Sequence, residues 1–242
     1  MADNRVGTEI TRWLLEHYRD DLSLVVTTAE NELFAVARAA AVDALVFESS
    51  VQVAEHLART GAPIDLGVLA WWPTLIRQPL LGLPAQGFIN THPSLLPHNR
   101  GKHYNFWALV EQAPFGVSLH LVDDGVDSGD IVAQAPVAYD WEDTGGTLHA
   151  KACEEMLRLF RDTYPTLRTM HIPRKPQDLG RGSLHLAREL DPASVIHLDE
   201  SYRARDLLNL LRARTFPGHP ACTFQDAGDE YEVRIHVTRK SR

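Results

Sequence analysis

The sequence predicts an α/β protein: a Rossmann-like, mostly parallel sheet with helices on both faces, followed by a small C-terminal α+β appendage of a helix and a β-hairpin. Two observations lead to this fold class. Short apolar runs alternate with amphipathic helical patterns in the first half of the chain, and a leucine-rich helical pattern near its end precedes two extended runs. Parallel strands need a crossover connection, and a crossover helix covers one face of the sheet.

The individual elements follow from the spacing of the apolar residues. Ile10, Trp13, Leu14 and Tyr18 recur at helical spacing, so a first helix is expected to begin near Gly7. The next predicted elements are a strand at 22–27, a helix at 30–40, a strand at 44–47, a helix at 51–59 and a strand at 66–71. After them come a helix at 104–111, strands at 116–122 and 131–138, and helices at 148–163 and 203–212. A hairpin of residues 221–224 and 231–237 ends the chain.

The pattern divides the chain into a main domain over residues 1–168, a connecting segment over 169–198 and the appendage over 199–242. A doubly wound domain normally opens with a strand, whereas residues 1–7 are typical of the loop that follows one. We therefore expect the first strand to be missing. The glycine-rich dinucleotide fingerprint is also missing from the sequence, which argues against hydride transfer with a nicotinamide cofactor.

The composition excludes several classes of function. A net charge of −8 disfavours broad binding to nucleic acid or to an anionic membrane. The sequence contains neither an apolar run of membrane-spanning length nor an export signal, so a cytoplasmic location is expected. Cys153 and Cys222 are expected to be buried thiols. Because the histidines and cysteines match no metal-ligand spacing, we predict no metal.

Two polar motifs carry the chemistry. Asn90 and His92 lie at the end of a predicted strand, and alternate residues of a strand point to the same face. Open α/β sheets place their ligands at the carboxyl ends of the strands. The second motif begins at His120 and reaches Asp127. Each residue alone could be structural, as a satisfied core histidine or a turn aspartate, but the three in this order favour a site.

Together the two motifs resemble those of the folate-dependent formyltransferases, the family of the glycinamide ribonucleotide, methionyl-tRNA and sugar-nucleotide enzymes. The resemblance is strong over about residues 60–165. It implies that Asn90, His92 and Asp127 are catalytic and that residues 1–168 form the catalytic domain. An amine attacks the formyl carbon, and Asn90 and a protonated His92 are expected to stabilise the resulting oxyanion. Asp127 is expected to orient His92 and favour its charged form.

The resemblance also implies two sets of binding residues. The co-substrate would be N10-formyltetrahydrofolate, held by Trp71, Trp72, Val122, Asp123 and Asp124. For the tryptophans, simple core packing is the alternative. The acceptor would be held by Arg100, Lys102, His103, Tyr104 and Trp107, with Arg214 and Phe216 as further candidates for contact with a base.

The acceptor is predicted to be a nucleotide-linked amino sugar, most specifically dTDP-4-amino-4,6-dideoxyglucose, because the run from Arg100 to Trp107 is similar to that of the sugar-nucleotide enzymes. A UDP-amino sugar, glycinamide ribonucleotide and methionyl-tRNA are alternative acceptors within the family. A formyltetrahydrofolate hydrolase and an inactive folate-binding protein are the alternatives outside it. The appendage is expected to support self-association, as in a homodimer, or the core, because its helix carries four leucines between residues 207 and 211.

Overall fold

The computed structural model describes residues 1–61 and 63–240. The helices are α1 (Asn4–His17), α2 (Glu32–Ala39), α3 (Ser50–Thr60), α4 (Tyr104–Glu111), α5 (Gly145–Leu167), α6 (Leu190–Ala193) and α7 (Ala204–Arg214). The strands are β1 (Leu24–Thr27), β2 (Asp43–Val46), β3 (Gly67–Leu69), β4 (Phe88–His92), β5 (Arg100–Gly101), β6 (Gly116–Leu121), β7 (Ile131–Pro136), β8 (Leu184–His185), β9 (Cys222–Asp226) and β10 (Asp229–Val233).

The predicted α/β class is confirmed, with helices on both faces and a C-terminal helix and hairpin. Strands β1 and β2 pair in parallel, as do β3 and β4. Strands β4, β6 and β7 continue the second sheet in antiparallel order. The antiparallel pairing of β6 and β7 follows from their connection, because the loop over residues 122–130 is too short for a crossover.

Residues 1–3 lie between β1 and β3. The Ala2 amide donates to the Val26 carbonyl at 2.9 Å, and the Ala70 amide donates to the Met1 carbonyl at 2.9 Å. Beside them, β1 and β3 border a cavity of about 460 Å³, which Leu14 also lines. The two halves of the central structure are therefore joined here by a short extended segment, and α1 begins directly after it.

The helix α5 closes the main domain. Its first turn is fixed by a capping box, because the Thr147 amide donates to the Thr144 hydroxyl and the Thr144 amide donates to the Thr147 hydroxyl. Its apolar face buries Cys153, Met156 and Phe160 against the sheet. A smaller apolar cluster on the opposite face contains Trp72. The sheet thus has a core on each side, and its strand ends remain free to form a site.

The connecting segment and the appendage are both attached to the main domain. Strand β8 pairs in parallel with β5, and Lys175 pairs with Ile131 at the start of β7. Helix α7 packs against α4 and α5. The buried Arg212 guanidinium donates to the carbonyls of Asp140 and Asp143. No helix within residues 1–61 and 63–240 is both long and apolar enough to cross a membrane.

Candidate active site

A large cavity opens at the ends of β4 and β6. Its volume is about 1590 Å³, and its wall includes Asn90, His92 and Asp127. The three side chains come from one strand and from the loop after β6, so residues far apart in sequence meet beside the carboxyl end of β4. Open α/β sheets bind their ligands at the carboxyl ends of their strands.

Asp127 lies at the centre of the polar cluster. One carboxylate oxygen accepts the Gly101 amide at 2.9 Å and lies 3.5 Å from Nδ1 of His92. The other accepts the Asn90 amide nitrogen at 3.3 Å and lies 3.5 Å from Nε2 of His120. The backbone of Asp127 is in the left-handed region, with φ of 48°. The loop thus holds this residue in an uncommon conformation that turns its carboxylate toward both motifs.

His120 orients Asn90 from the side. Its Nδ1 lies 2.8 Å from the Leu121 carbonyl, which can only accept, so a proton on Nδ1 is favoured. Its Nε2 lies 3.2 Å from the Asn90 amide nitrogen and 3.5 Å from the Asp127 carboxylate. His120 thus contacts both Asn90 and Asp127.

The two key titratable groups have shifted pKa values. Burial lowers the pKa of His92 below its ordinary 6.5, and the raising effect of Asp127 is smaller. Burial would raise the pKa of Asp127, but its electrostatic interactions with the two imidazoles, a hydrogen bond with His120 and the Gly101 amide bring it below its ordinary 3.8. The ligand-free site therefore holds a carboxylate beside a neutral imidazole. The protonated His92 predicted from the sequence belongs to the oxyanion formed during transfer and stays a prediction; in the ligand-free site, desolvation of the ring outweighs its ion pair.

An aromatic group forms a second part of the cavity wall. The Trp71 indole stacks on His149 at 5.4 Å between ring centroids, and Phe216 lies 5.2 Å from the same imidazole. The Tyr104 hydroxyl lies 3.1 Å from Nδ1 of His149. Burial lowers the pKa of His149, so this stack is an uncharged surface at neutral pH. Flat rings of this kind bind planar groups well.

The residues predicted to bind folate all reach the cavity. Its wall includes Trp71, Trp72, Val122, Asp123 and Asp124. Trp72 is also part of the apolar cluster on one sheet face and packs edge-on against Phe47. Core packing and contact with the cavity are thus combined in Trp72.

The residues predicted to bind the acceptor divide into two sets. Lys102, Tyr104 and Phe216 line the cavity. Four other residues lie outside the cavity wall. Arg100 is in β5 and His103 precedes α4. Trp107 stacks on His185 at 3.8 Å between ring centroids, and Arg214 forms an ion pair with Asp191 at 3.0 Å.

Sequence reasoning missed several residues of the wall. His149 precedes Cys153 by four positions on α5, so the helical spacing that marked the buried face could have indicated it. His185 comes from the connecting segment, where no periodic pattern marks it. Ile235 and His236 lie in the predicted strand at 231–237, but β10 ends at Val233 and the two residues follow it into the cavity wall. The cavity thus uses residues from all three predicted parts of the chain.

Comparison with known proteins identifies the fold around this site. A formyl transferase family model matches residues 21–162, which is more than half of the chain. The chain belongs to the formyl transferase family. A second model, the N-formyltransferase dimerization C-terminal domain, matches residues 189–239. The prediction of a folate-dependent N-formyltransferase is therefore confirmed.

Three solved structures share the fold. A sugar N-formyltransferase from Shewanella is 18% identical, with 99% of this chain and 97% of that chain covered and a TM-score of 0.81. A 4-N formyltransferase from Francisella tularensis is 18% identical, with 95% of each chain covered and a TM-score of 0.76. An N-formyltransferase from Helicobacter canadensis, solved with folinic acid and dTDP-3-aminofucose, is 15% identical, with 94% and 82% covered and a TM-score of 0.67.

The candidate site offers polar side chains that can form hydrogen bonds and exchange protons. Throughout the part of the chain that the structure describes, no group of three or more His, Cys, Asp or Glu residues is placed to hold a metal ion. The polar groups that converge on the cavity are an amide, imidazoles and a carboxylate. These can stabilise charge and move protons, which is what transfer of a formyl group between nitrogens requires.

Proposed function

We propose that this formyltransferase transfers the formyl group of N10-formyltetrahydrofolate to the amine of a nucleotide-linked amino sugar, with dTDP-4-amino-4,6-dideoxyglucose as the specific acceptor. The observation that carries this proposal is the size and position of the cavity, about 1590 Å³ with Asn90, His92 and Asp127 on its wall. Pockets for one small molecule have about 300–1,000 Å³. This cavity therefore has room for both substrates at once.

The composition of the wall supports a division between the two substrates. On the side of the loop after β6, Val122 and Asp124 combine apolar surface with carboxylate and backbone groups suited to a folate. On the side of α4 and the C-terminal tail, Lys102 supplies a cation for a phosphate, and Tyr104 and Phe216 supply rings for a base or sugar. The formyl carbon would lie between these sides, beside Asn90.

We propose the following roles during transfer. The neutral acceptor amine attacks the formyl carbon, whose oxygen becomes an oxyanion that accepts a hydrogen bond from the Asn90 amide. Asn90 exchanges one of its two long hydrogen bonds, 3.2 and 3.3 Å, for this stronger one. The attacking nitrogen loses a proton, N10 of the departing tetrahydrofolate gains one, and the bond from N10 to the formyl carbon breaks.

His92 is suited to the proton transfer because its imidazole is neutral before the reaction and can accept a proton. The imidazolium formed would be stabilised by Asp127, whose carboxylate lies 3.5 Å from Nδ1 of the ring. The same imidazolium can then return the proton to N10. In this proposal Asp127 stabilises the positive charge that His92 acquires during transfer, and its effect on the pKa of His92 in the ligand-free enzyme is secondary.

The acceptor is the finer part of the proposal. The Francisella relative is a 4-N enzyme, whereas the Helicobacter relative was solved with a 3-amino sugar, so the position of the amine needs a direct test. The run from Arg100 to Trp107 favours a sugar-nucleotide enzyme, and within that group we propose the 4-amino sugar as the acceptor. A net charge of −8 disfavours methionyl-tRNA as the acceptor.

The test is a panel assay with purified protein and N10-formyltetrahydrofolate. The acceptors are dTDP- and UDP-linked 3-amino and 4-amino sugars, glycinamide ribonucleotide and methionyl-tRNA, and products are measured by mass spectrometry. We expect formylation of the dTDP-4-amino sugar with the highest kcat/KM. Release of formate without any amine acceptor would instead identify a hydrolase. Folate binding without turnover of any acceptor would identify an inactive binding protein.

We also propose that the enzyme is a homodimer. The support is the match of residues 189–239 to a dimerization domain, together with the exposed apolar side chains of Leu198, Leu208 and Tyr231 in this region. The cytoplasmic location predicted from the sequence stays a prediction.

A further inference from the structure

The connecting segment contacts the loop that carries Asp127. Lys175 and Ile131 exchange two backbone hydrogen bonds, of 2.8 and 2.9 Å, which fix the segment against the start of β7. Two residues later the Gln177 side chain reaches back over the loop. Its amide nitrogen donates to the Asp127 carbonyl at 2.9 Å and to the Gly129 carbonyl at 2.6 Å.

These two hydrogen bonds fix the orientation of the Gln177 amide. Its NH₂ group has two hydrogens, one for each carbonyl, and the flipped amide would place an oxygen against two oxygens. Asp127 needs such support because a non-glycine residue in the left-handed region is strained. Gly129 is tightly confined as well, since a Cβ there would lie 2.0 Å from the Leu121 carbonyl. Gln177 therefore ties together the backbone on both sides of Ser128.

The same segment also acts on the carboxylate of Asp127 through a second route. The Arg100 amide donates a hydrogen bond to the carbonyl of Ser183, just before β8, at 3.0 Å, and the Lys102 amide donates to the carbonyl of His185 in β8 at 2.9 Å. The residue between those two amides is Gly101, whose own amide donates to the Asp127 carboxylate. Residues 175–185 thus hold Asp127 from two directions, by its backbone and by its side chain.

We propose that Gln177 is a positioning residue for catalysis: its side-chain amide holds the Asp127 backbone so that the carboxylate faces His92 and Asn90. It is not itself placed to touch either substrate in this role. Loss of the amide would let the strained loop relax and move the carboxylate away from the imidazole. Displacement of a catalytic group by about 1 Å can lower a rate by about 100-fold.

The proposal predicts a specific kinetic pattern. Gln177→Ala should lower kcat by about 10–100-fold and leave the KM for N10-formyltetrahydrofolate within about twofold of the wild-type value. Gln177→Glu keeps the size of the side chain but cannot donate when ionised, so its kcat should fall at least as far. Asp178→Ala is the matched control, because Asp178 is the exposed neighbour on the same segment, and its kcat should be unchanged.

A second readout requires neither substrate. The ionised Asp127 raises the pKa of His92, so moving the carboxylate away should lower that pKa further. In ligand-free protein, an NMR titration of the His92 ring should show a fall of about 0.5 unit or more in both Gln177 variants and no change in Asp178→Ala. The NMR titration does not depend on the proposed reaction, whereas the kinetic measurement does.

The outcomes separate the two ideas. A lowered His92 pKa together with the loss of kcat in both Gln177 variants, measured with an acceptor that the wild type turns over, supports the proposal in full; an unchanged kcat in both variants would overturn it. A shifted pKa with no acceptor turned over by the wild type would leave Gln177 as the residue that positions Asp127 and count against the proposed reaction alone. An unchanged His92 pKa in both variants would overturn the proposal, as would a loss of kcat that merely parallels a lower unfolding temperature. An equal loss of kcat in Asp178→Ala would also overturn it.

Discussion

Replacing Asp127 with asparagine tests the proposed mechanism most directly. Asparagine keeps the shape of the side chain and can still accept the Gly101 amide, but it removes the negative charge beside His92. Two unit charges at the 3.5 Å that separates Nδ1 of His92 from the carboxylate attract by about 5 kcal/mol at an effective dielectric constant of about 20. The cavity is open to water, which screens part of this energy. About half of it, roughly 2.5 kcal/mol, corresponds to a loss of about 100-fold in kcat.

The assay is steady-state kinetics with N10-formyltetrahydrofolate and the best acceptor of the panel, for the wild type, Asp127→Asn and Asp226→Asn. Asp226 is an exposed residue at the end of β9 in the C-terminal hairpin and serves as the control for a lost carboxylate. We expect the loss in kcat and little change in either KM, because the charge acts on the imidazolium formed during transfer. A kcat of Asp127→Asn within about fivefold of the wild type, with an unchanged unfolding midpoint, would refute the reasoning.

Four further predictions concern the site and the appendage. Asn90→Ala and His92→Ala should each lower kcat by about 100-fold or more without a loss of folding, checked by kinetics beside circular dichroism. The rate should fall at acidic pH, because the acceptor amine becomes protonated and loses its lone pair. His92, whose pKa is below 6.5, is then protonated as well and can no longer accept a proton. A flat profile from about pH 5 to 9 would contradict this prediction. Phe216→Ala should raise the KM of the acceptor more than that of the donor, because Phe216 lines the proposed acceptor side of the cavity. Leu208→Arg should halve the molar mass measured by light scattering, because it places a charge on the exposed apolar surface of α7. A monomeric wild type would count against the dimer.

Elements with a local signal were predicted closely from the sequence. Helix α4 runs from Tyr104 to Glu111 as predicted, because its apolar spacing is regular. The predicted start of α5 was three residues late, because glycines at positions 145 and 146 carry no apolar side chain and the hydrophobic pattern begins only at Leu148. The start of the helix is fixed instead by the capping box of Thr144 and Thr147.

Parts of the structure that depend on distant pairing had no such signal. Strands β5 and β8 have two residues each, and neither can be recognised without the other. The antiparallel pairing of β4 and β6 joins strands that α4 separates in sequence, and no local pattern indicates its direction. The candidate catalytic residues could nevertheless be predicted because their chemical types and order are distinctive. The contacts of Gln177, which act only through backbone carbonyls, have no comparable pattern in sequence.

The position of the appendage bears on whether it serves association or acceptor binding. Phe216, Ile235 and His236 follow α7 in sequence and line the same cavity as His92. Leu208 of α7 does not line the cavity, and its side chain is 41% exposed to solvent. One side of the appendage thus faces the cavity while another presents apolar surface to solvent. Because the same short unit carries both surfaces, self-association would fix the wall against which the acceptor binds. The two roles need not exclude one another, and the separate variants at Phe216 and Leu208 distinguish them.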